Sequence, residues 1–300
     1  MTKLITFGCS FTNYHWSTWA DILGREFDEF ENKGISGAGN TFIFNHIMQA
    51  IADKTITKDT TVIIMWSSII REDRFINNDW LSPGNIYNQT AYNDAFMEYV
   101  DPIGFFVRDM AHISATYHTL HDIGCKFYFL NMMNYDSPIE HLKLNFLQKL
   151  LRTDNIKHLK KIYKKYIKFT KPSMHNIVYD LNWYNRNNDL VADRKLYQMT
   201  RDNLFNKWPH VDEWENNQIQ ILDTEVLDEI CKFCYASDLD DIKRYKLWRR
   251  YDTHPTPLLH LEYLEKVLPK YKISTANIQK VKIENEKILK QPHKYIRMTR

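Results

Sequence analysis

The sequence predicts an α/β protein, a three-layer α/β/α arrangement around a parallel sheet with a mainly helical insertion, and three observations predict it. Short apolar runs of strand length recur at residues 4–7, 61–66 and 126–131. Segments of helical period separate them. Each run also stops at small or polar residues, the place where open α/β sheets bind ligands.

The elements follow in chain order. Leu4 to Phe7 reads as a buried strand stopped by Gly8. Trp16, Trp19, Ala20, Ile22 and Leu23 recur at helical spacing, and Gly24 is a C-terminal stop. Residues 27–31 alternate weakly and lead into Lys33-Gly34-Ile35-Ser36-Gly37-Ala38-Gly39-Asn40, a loop holding three of the chain's eight glycines. Phe42, Ile43, Ile47, Ala50 and Ile51 then mark one face of a helix. Thr61 to Trp66 is the clearest strand, uninterrupted and β-branched. Residues 71–99 are polar, aromatic and marked by Pro and Gly, and read as a long loop with little regular structure.

Gly104 to Ile123 reads as a helix ended by Gly124, and Lys126 to Asn131 as a further buried strand. Ile219 to Leu222 is a candidate last strand, and Leu258 to Leu268 an amphipathic helix opened by Pro255 and Pro257. The strand–helix rhythm breaks near residue 138. This gives an α/β core over residues 1–135 and 216–270, a helical insertion or cap over 136–215, and a basic C-terminal tail over 271–300. Length allows one large domain or two small ones.

Composition narrows the function classes. No apolar run reaches the ~20 residues that cross a bilayer, and the first residues turn polar too early for a signal peptide. A cytoplasmic protein without a membrane partner is the expectation. The net charge of +3 is too small to name a nucleic-acid binder. Cys9, Cys125, Cys231 and Cys234 are too sparse for a secreted disulfide framework, so reduced thiols are expected. Scarce glycine with abundant Asn, Ile, Lys and Tyr is the composition of an AT-rich coding source, such as a phage or low-GC bacterium.

Two patches carry candidate chemistry. Ser10 lies just past the first strand and before a helix, where a backbone N–H near the helix's positive end could hold an oxyanion. Taken alone, a helix cap explains such a serine equally well. Far along the chain, Tyr251-Asp252-Thr253-His254-Pro255 sets a carboxylate and an imidazole on one loop. A histidine accepts a serine proton when a neighbour fixes its tautomer and stabilises the imidazolium, and Asp252 is the candidate neighbour for His254.

Gly8-Cys9-Ser10-Phe11-Thr12 resembles the first block of the SGNH/GDSL hydrolase superfamily, which carries the nucleophile. Gly34 to Asn40 resembles the second block, whose glycine, here Gly37, gives an N–H to the oxyanion hole. Asp252-Thr253-His254-Pro255 is similar to the final Asp/His block. The resemblance implies a flavodoxin-like sheet, a Ser10/His254/Asp252 triad and no cofactor or metal. It also implies a small-molecule or saccharide ester as substrate, with O-acetylated sugars the family habit.

Three departures accompany the resemblance. Cys9 replaces the usual aspartate, and Asp252 stands two residues before His254 where three is the commoner spacing. The family's third block supplies an asparagine to the oxyanion hole, whereas this strand ends Trp66-Ser67-Ser68-Ile69-Ile70-Arg71. Ser68 or Ser67 is the substitute donor, and Arg71 or Arg74 a residue to compensate for the asparagine or to hold an anionic part of the substrate. The expected activity is an esterase or O-deacylase working through an acyl-enzyme on Ser10. An acyltransferase with the same residues, or a binding or assembly module that keeps the fold without turnover, are the alternatives.

The remaining motifs have plainer readings. Cys231-x-x-Cys234 has metal spacing but no second pair, and is read as packing. His260 and His15 are read as structural or surface histidines. Lys157 to Lys171, interleaved with Tyr163, Tyr166 and Phe169, is read as an amphipathic helix with solvated lysines in preference to a nucleic-acid contact. Trp183, Tyr184, Trp208 and Trp214 are read as cap core in preference to a sugar-stacking wall.

Overall fold

In a computed structural model of the 300-residue chain, the described residues are 2–82, 84, 86, 100, 102–133, 153–174, 177 and 254–290. Three apolar runs become three neighbouring strands of one sheet. They are β1 (Lys3–Phe7), β3 (Thr60–Trp66) and β6 (Lys126–Asn131), with β2 (Glu29–Asn32) at one edge. The sheet is parallel throughout, in the order β2-β1-β3-β6. All seven residues of β3 are buried, which requires cover on both faces of the sheet.

That cover comes from helices whose apolar positions match the spacing in the sequence. Helix α1 (Trp19–Gly24) buries Trp19, Ile22 and Leu23, and α2 (Asn40–Ala52) buries Phe42, Ile43 and Ile47. Helix α3 (Pro102–Ile123) packs on α2 and stops at Gly124, whose φ of +76° suits a residue without a Cβ. Helix α6 (Pro257–Val267) packs on α1 and on α7 (Thr275–Lys290). Among the described residues, no helix is long and apolar enough to cross a membrane.

The strand order reverses between β1 and β3. A crevice at the carboxyl ends of these two strands is where such a sheet receives a ligand. The register aligns Phe7 with Ile64 and Trp66 with Asn131, so the loops beginning at Gly8, Ser67 and Met132 emerge at the same end.

The structure differs from the sequence expectations in three places. Residues 71–99 were expected to lack regular structure, but β4 (Arg74–Ile76) and β5 (Asp79–Leu81) form an antiparallel hairpin. Its turn is Asn77-Asn78, both with positive φ (53° and 62°), which asparagine tolerates better than most residues. The first helix starts at Trp19, so Trp16 belongs to a loop: the Thr18 amide and hydroxyl donate to the Asp21 carboxylate, fixing the start there. The stretch expected as a basic tail contains α7, whose Val281 and Ile288 are buried against the core.

Part of the segment expected as a cap is also in view. Helices α4 (Thr153–Ile162) and α5 (Lys164–Phe169) lie against the flank formed by α3 and β6. Tyr163, Tyr166, Ile167 and Phe169 pack inward, while Lys161, Lys164, Lys165 and Lys168 are exposed. The chain then joins the sheet's end: the Lys171 amide donates to Phe129 O, and Ser173 bridges Asn131. Ile219 to Leu222, the Cys231/Cys234 pair and the tryptophans at 183, 208 and 214 lie outside the described residues.

Candidate functional site

Ser10 occupies a tight turn immediately after β1. The amides of Thr12 and Asn13 both donate to Cys9 O, at 2.8 and 3.1 Å, so Ser10 and Phe11 form the turn's outer residues. The chain must fold back sharply here, and a Cβ on Gly8 would stand 2.1 Å from Thr12 Oγ1. Ser10 is therefore not at a helix N-terminus, since α1 begins nine residues later. The sequence argument from the helix dipole, and the alternative of a helix cap, both yield to a turn.

The residues after the turn reach across to the far end of the chain. Ser10 Oγ lies 2.8 Å from His254 Nε2. The His254 ring is stacked on Tyr14 with centroids 3.9 Å apart and planes 14° from parallel, and Phe11 meets it edge-on at 5.4 Å. Trp16 Nε1 donates to Pro255 O at 2.8 Å and ties down the residue next to the histidine. Phe11, Tyr14 and Trp16 thus hold the imidazole plane. The sequence reading passed over this role, although the aromatic density of residues 11–19 was its visible trace. His15 lies against Tyr14, with ring centroids 4.6 Å apart.

The His254 loop is braced from behind by helices. Pro257 occupies the first turn of α6, where its missing N–H costs nothing. The Leu258 amide donates to Asn285 of α7 at 3.3 Å. The same helix reaches the other half of the site, because the Ser17 amide donates to Glu284 and Asn277 Nδ2 donates to Ile22 O. Helix α7 is in this way a clamp between the loop after Ser10 and the helix after His254. Asp252, the expected third member, lies outside the described residues.

The glycine loop packs against the serine turn. The Ile35 amide donates to Gly8 O at 3.0 Å, and Asn13 Nδ2 to Gly34 O at 2.8 Å. Gly37 has φ +82°, and a Cβ there would stand 2.3 Å from Ser82 O, so no side chain fits at this position. At the end of the loop Gly39 starts α2 without a side chain to cap it. Asp73 supplies the cap instead, accepting the Gly39 and Phe42 amides at 2.8 and 2.9 Å.

The loop after β3 is held by buried polar bonds centred on Asn40. Its Oδ1 accepts the Ser67 amide at 2.7 Å, and its Nδ2 donates to Asp109 at 2.7 Å and to Ser67 O at 3.2 Å. Arg108 binds Asp109 through Nε at 2.8 Å, Glu72 through Nη1 at 2.7 Å and Arg71 O through Nη2 at 2.9 Å. Burial pushes the Asp109 carboxyl up to about 6, against the pull of Arg108 and Asn40. Sequence reasoning missed this network because nothing local distinguishes Asn40 or Asp109 from helix-surface residues.

The serines expected as oxyanion donors sit at this strand end. Ser67 Oγ is buried with no hydrogen-bond partner among the described residues, and Ser68 Oγ accepts the Ile70 amide at 3.4 Å. Arg71 donates from Nη1 to Ala38 O at 2.9 Å, and its Nη2 lies 3.9 Å from Met132 Sδ. Met132 in turn touches Cys9 Sγ at 3.4 Å, beside Ser10. The structure therefore brings Ser10 and His254 into contact, and it places the Gly37 loop, Ser67, Ser68 and Arg71 in the loops at the same end of the sheet. His260, on α6, is fully buried with neither ring nitrogen partnered among the described residues. Burial, aided by His254, lowers it to about 3, so it is neutral.

No family model and no curated protein matches the chain. Among solved structures it is similar to a member of the lipolytic protein G-D-S-L family from Veillonella parvula, at 12% identity and TM-score 0.35. That likeness covers 62% of this chain and 85% of the other. A lipolytic protein of the G-D-S-L family from Desulfitobacterium hafniense is 15% identical with TM-score 0.29, over 52% of this chain and 74% of that one. TesA is 12% identical with TM-score 0.32, over 59% and 81%.

Proposed function

We propose that this chain is a serine hydrolase that cleaves an ester, or removes an O-acyl group, through an acyl-enzyme on Ser10. The observation that carries this reading is the 2.8 Å contact between Ser10 Oγ and His254 Nε2, made by residues 244 positions apart and backed by a stacked tyrosine. A hydroxyl can donate to Nε2 only when Nδ1 holds the ring proton, the tautomer a general base requires. Asp252 is the residue assigned to hold that Nδ1 proton.

In the proposed reaction His254 takes the Ser10 proton as Oγ attacks the carbonyl carbon. The imidazolium then gives that proton to the departing alcohol as the ester C–O bond breaks. Water, deprotonated by His254, attacks the acyl-enzyme, releasing the acid and restoring Ser10. The amides of Ser10 and Gly37 are assigned to the oxyanion, with the Ser67 or Ser68 hydroxyl as the third donor. Losing one good oxyanion donor costs roughly 10²–10³ in turnover, so replacing the family's asparagine with a serine hydroxyl predicts a slow enzyme. O-acylated sugars are the substrates to screen first, and transfer to an alcohol acceptor uses the same steps with the acceptor in place of water.

The test is labelling of the purified protein with a fluorophosphonate probe, read by intact mass and peptide mapping, with Ser10→Ala as control. One adduct on Ser10, absent in the variant, is the expected result. A folded protein that takes no adduct would overturn the reading and leave a fold that binds or assembles without turnover.

A further inference from the structure

Four charged residues follow one another between β3 and the start of β4: Arg71, Glu72, Asp73 and Arg74. Two of each sign would normally neutralise one another, but the structure spends both carboxylates elsewhere. Asp73 accepts the first amides of α2, and Glu72 binds Arg108 at 2.7 Å and Arg74 at 3.8 Å. The third acid nearby, Asp109, is taken by Arg108 and Asn40. Among the described residues no carboxylate pairs with Arg71. Its guanidinium makes one hydrogen bond, to Ala38 O, and one weak contact, to Met132 Sδ. Five N–H donors on a group that stays charged at any working pH are therefore mostly unused.

The position of this cation is built. Gly39 has no side chain, and a Cβ there would stand 2.9 Å from Arg71 Cβ and 2.6 Å from Asp73 Oδ2, so the glycine lets the arginine lie along the loop. Its backbone is fixed by the Arg108 bond to Arg71 O. The guanidinium bridges Ala38, next to Gly37, and Met132, which touches the residue beside Ser10. A half-buried cation with no counterion among the described residues, set between the glycine loop and the serine turn, suits an anion.

We propose that Arg71 is a specificity residue that binds an anionic group, carboxylate or phosphate, carried by the ester. The inference rests on the reading of Ser10 as the nucleophile. A bidentate pair between a guanidinium and an oxyanion fixes orientation as well as affinity, which suits a substrate whose reacting carbonyl lies within a few bonds of its charge.

The experiment compares 4-nitrophenyl hexanoate with the 4-nitrophenyl half-ester of adipate, which differ by one terminal carboxylate. Wild type, Arg71→Gln and Arg71→Lys are assayed on both, and the melting temperature is measured with added adipate and with inorganic phosphate. The expected result is a kcat/KM ratio favouring the anionic ester, carried by KM. That ratio falls about 30-fold in Arg71→Gln, which keeps a donor for Ala38 O, and falls less in Arg71→Lys. Adipate or phosphate raises the melting temperature of wild type and not of Arg71→Gln, and the stronger of the two names the anion. Equal loss on both esters overturns the proposal and makes Arg71 an oxyanion or loop-holding residue, as does a wild type with neither preference nor thermal shift. Absence of turnover on both esters and of a fluorophosphonate adduct, with the anion-induced shift still present and lost in Arg71→Gln, removes the hydrolase and keeps the anion site.

Discussion

The two halves of the crevice are built from different materials. The serine–histidine half joins residues more than 230 apart in sequence through ring contacts and neutral hydrogen bonds: Tyr14 and Phe11 on His254, and Trp16 on Pro255. The other half joins residues some 30–70 apart through buried charge and amide groups, with Asn40, Asp109, Arg108, Glu72 and Asp73 holding the glycine loop and the loop after β3. A stacked ring orients without binding tightly, whereas a buried polar network is costly to break because every partner left behind is unsatisfied. Substitutions in the first half are therefore expected to cost rate, and substitutions in the second to cost stability.

The sharpest way to break that division is Ser10→Ala. It removes the atom proposed to attack the ester and nothing that holds the fold, so ester turnover is expected to fall by roughly 10³ or more while the unfolding midpoint stays close to wild type. A large drop in stability would show that the turn depends on the serine hydroxyl. Next comes Asn40→Ala, which orphans the Ser67 amide and one side of Asp109. Denaturant unfolding is expected to show a loss of about 3 kcal/mol, and a loss under 1 kcal/mol would mean the network is not what holds that loop. Gly37→Ala forces a side chain into positive φ and onto Ser82 O, for a loss of about 2 kcal/mol in the same assay.

The pH dependence separates the halves further. The Asp109 carboxyl is raised from 3.8 to about 6, so folding favours its neutral form. Its contribution is full below about pH 4 and is lost as pH rises through 6. His112 and His260 are lowered from 6.5, by burial first, to about 4 and about 3. Their contribution is full above 6.5 and is lost as pH falls toward those values. Melting temperature measured from pH 4 to 7 should rise with pH in wild type, rise more steeply in Asp109→Asn and more gently in His260→Phe. A slope unchanged in both variants would place the titrating groups elsewhere. The smallest effect is expected for Tyr14→Ala, which frees the His254 ring and lowers kcat about tenfold with little change in KM.

How much of this was legible in the sequence differs between the same two halves. The strands β1 and β3 were legible because they are buried almost throughout and so read as nearly unbroken apolar runs, and β6 was legible through its run Phe127 to Leu130. Ser10 and His254 could be paired through the resemblance of their blocks, not through any local signal linking them. The hairpin was not legible, since its strands are three residues long and its turn is Asn-Asn in place of the usual Asn-Gly. Helix α7 was hidden by its composition, because much of what it turns toward the core is polar: Asn277, Glu284 and Asn285 work through hydrogen bonds that hydrophobic periodicity does not register. Trp16 matched the helical spacing of Trp19, Ala20 and Leu23 while belonging to the loop that grips the His254 segment.

The separation of Ser10 from His254 has a consequence for the chain during its own synthesis. At ~5–20 residues per second, the serine leaves the ribosome roughly 10–50 s before the histidine does. Helix α7, which braces both, follows later still. Through that interval Ser10 is an ordinary alcohol in a nascent chain, unable to attack the acyl groups around it. Under the proposed function, the geometry acts as a timer that arms Ser10 only once His254 and the helix bracing it are in place.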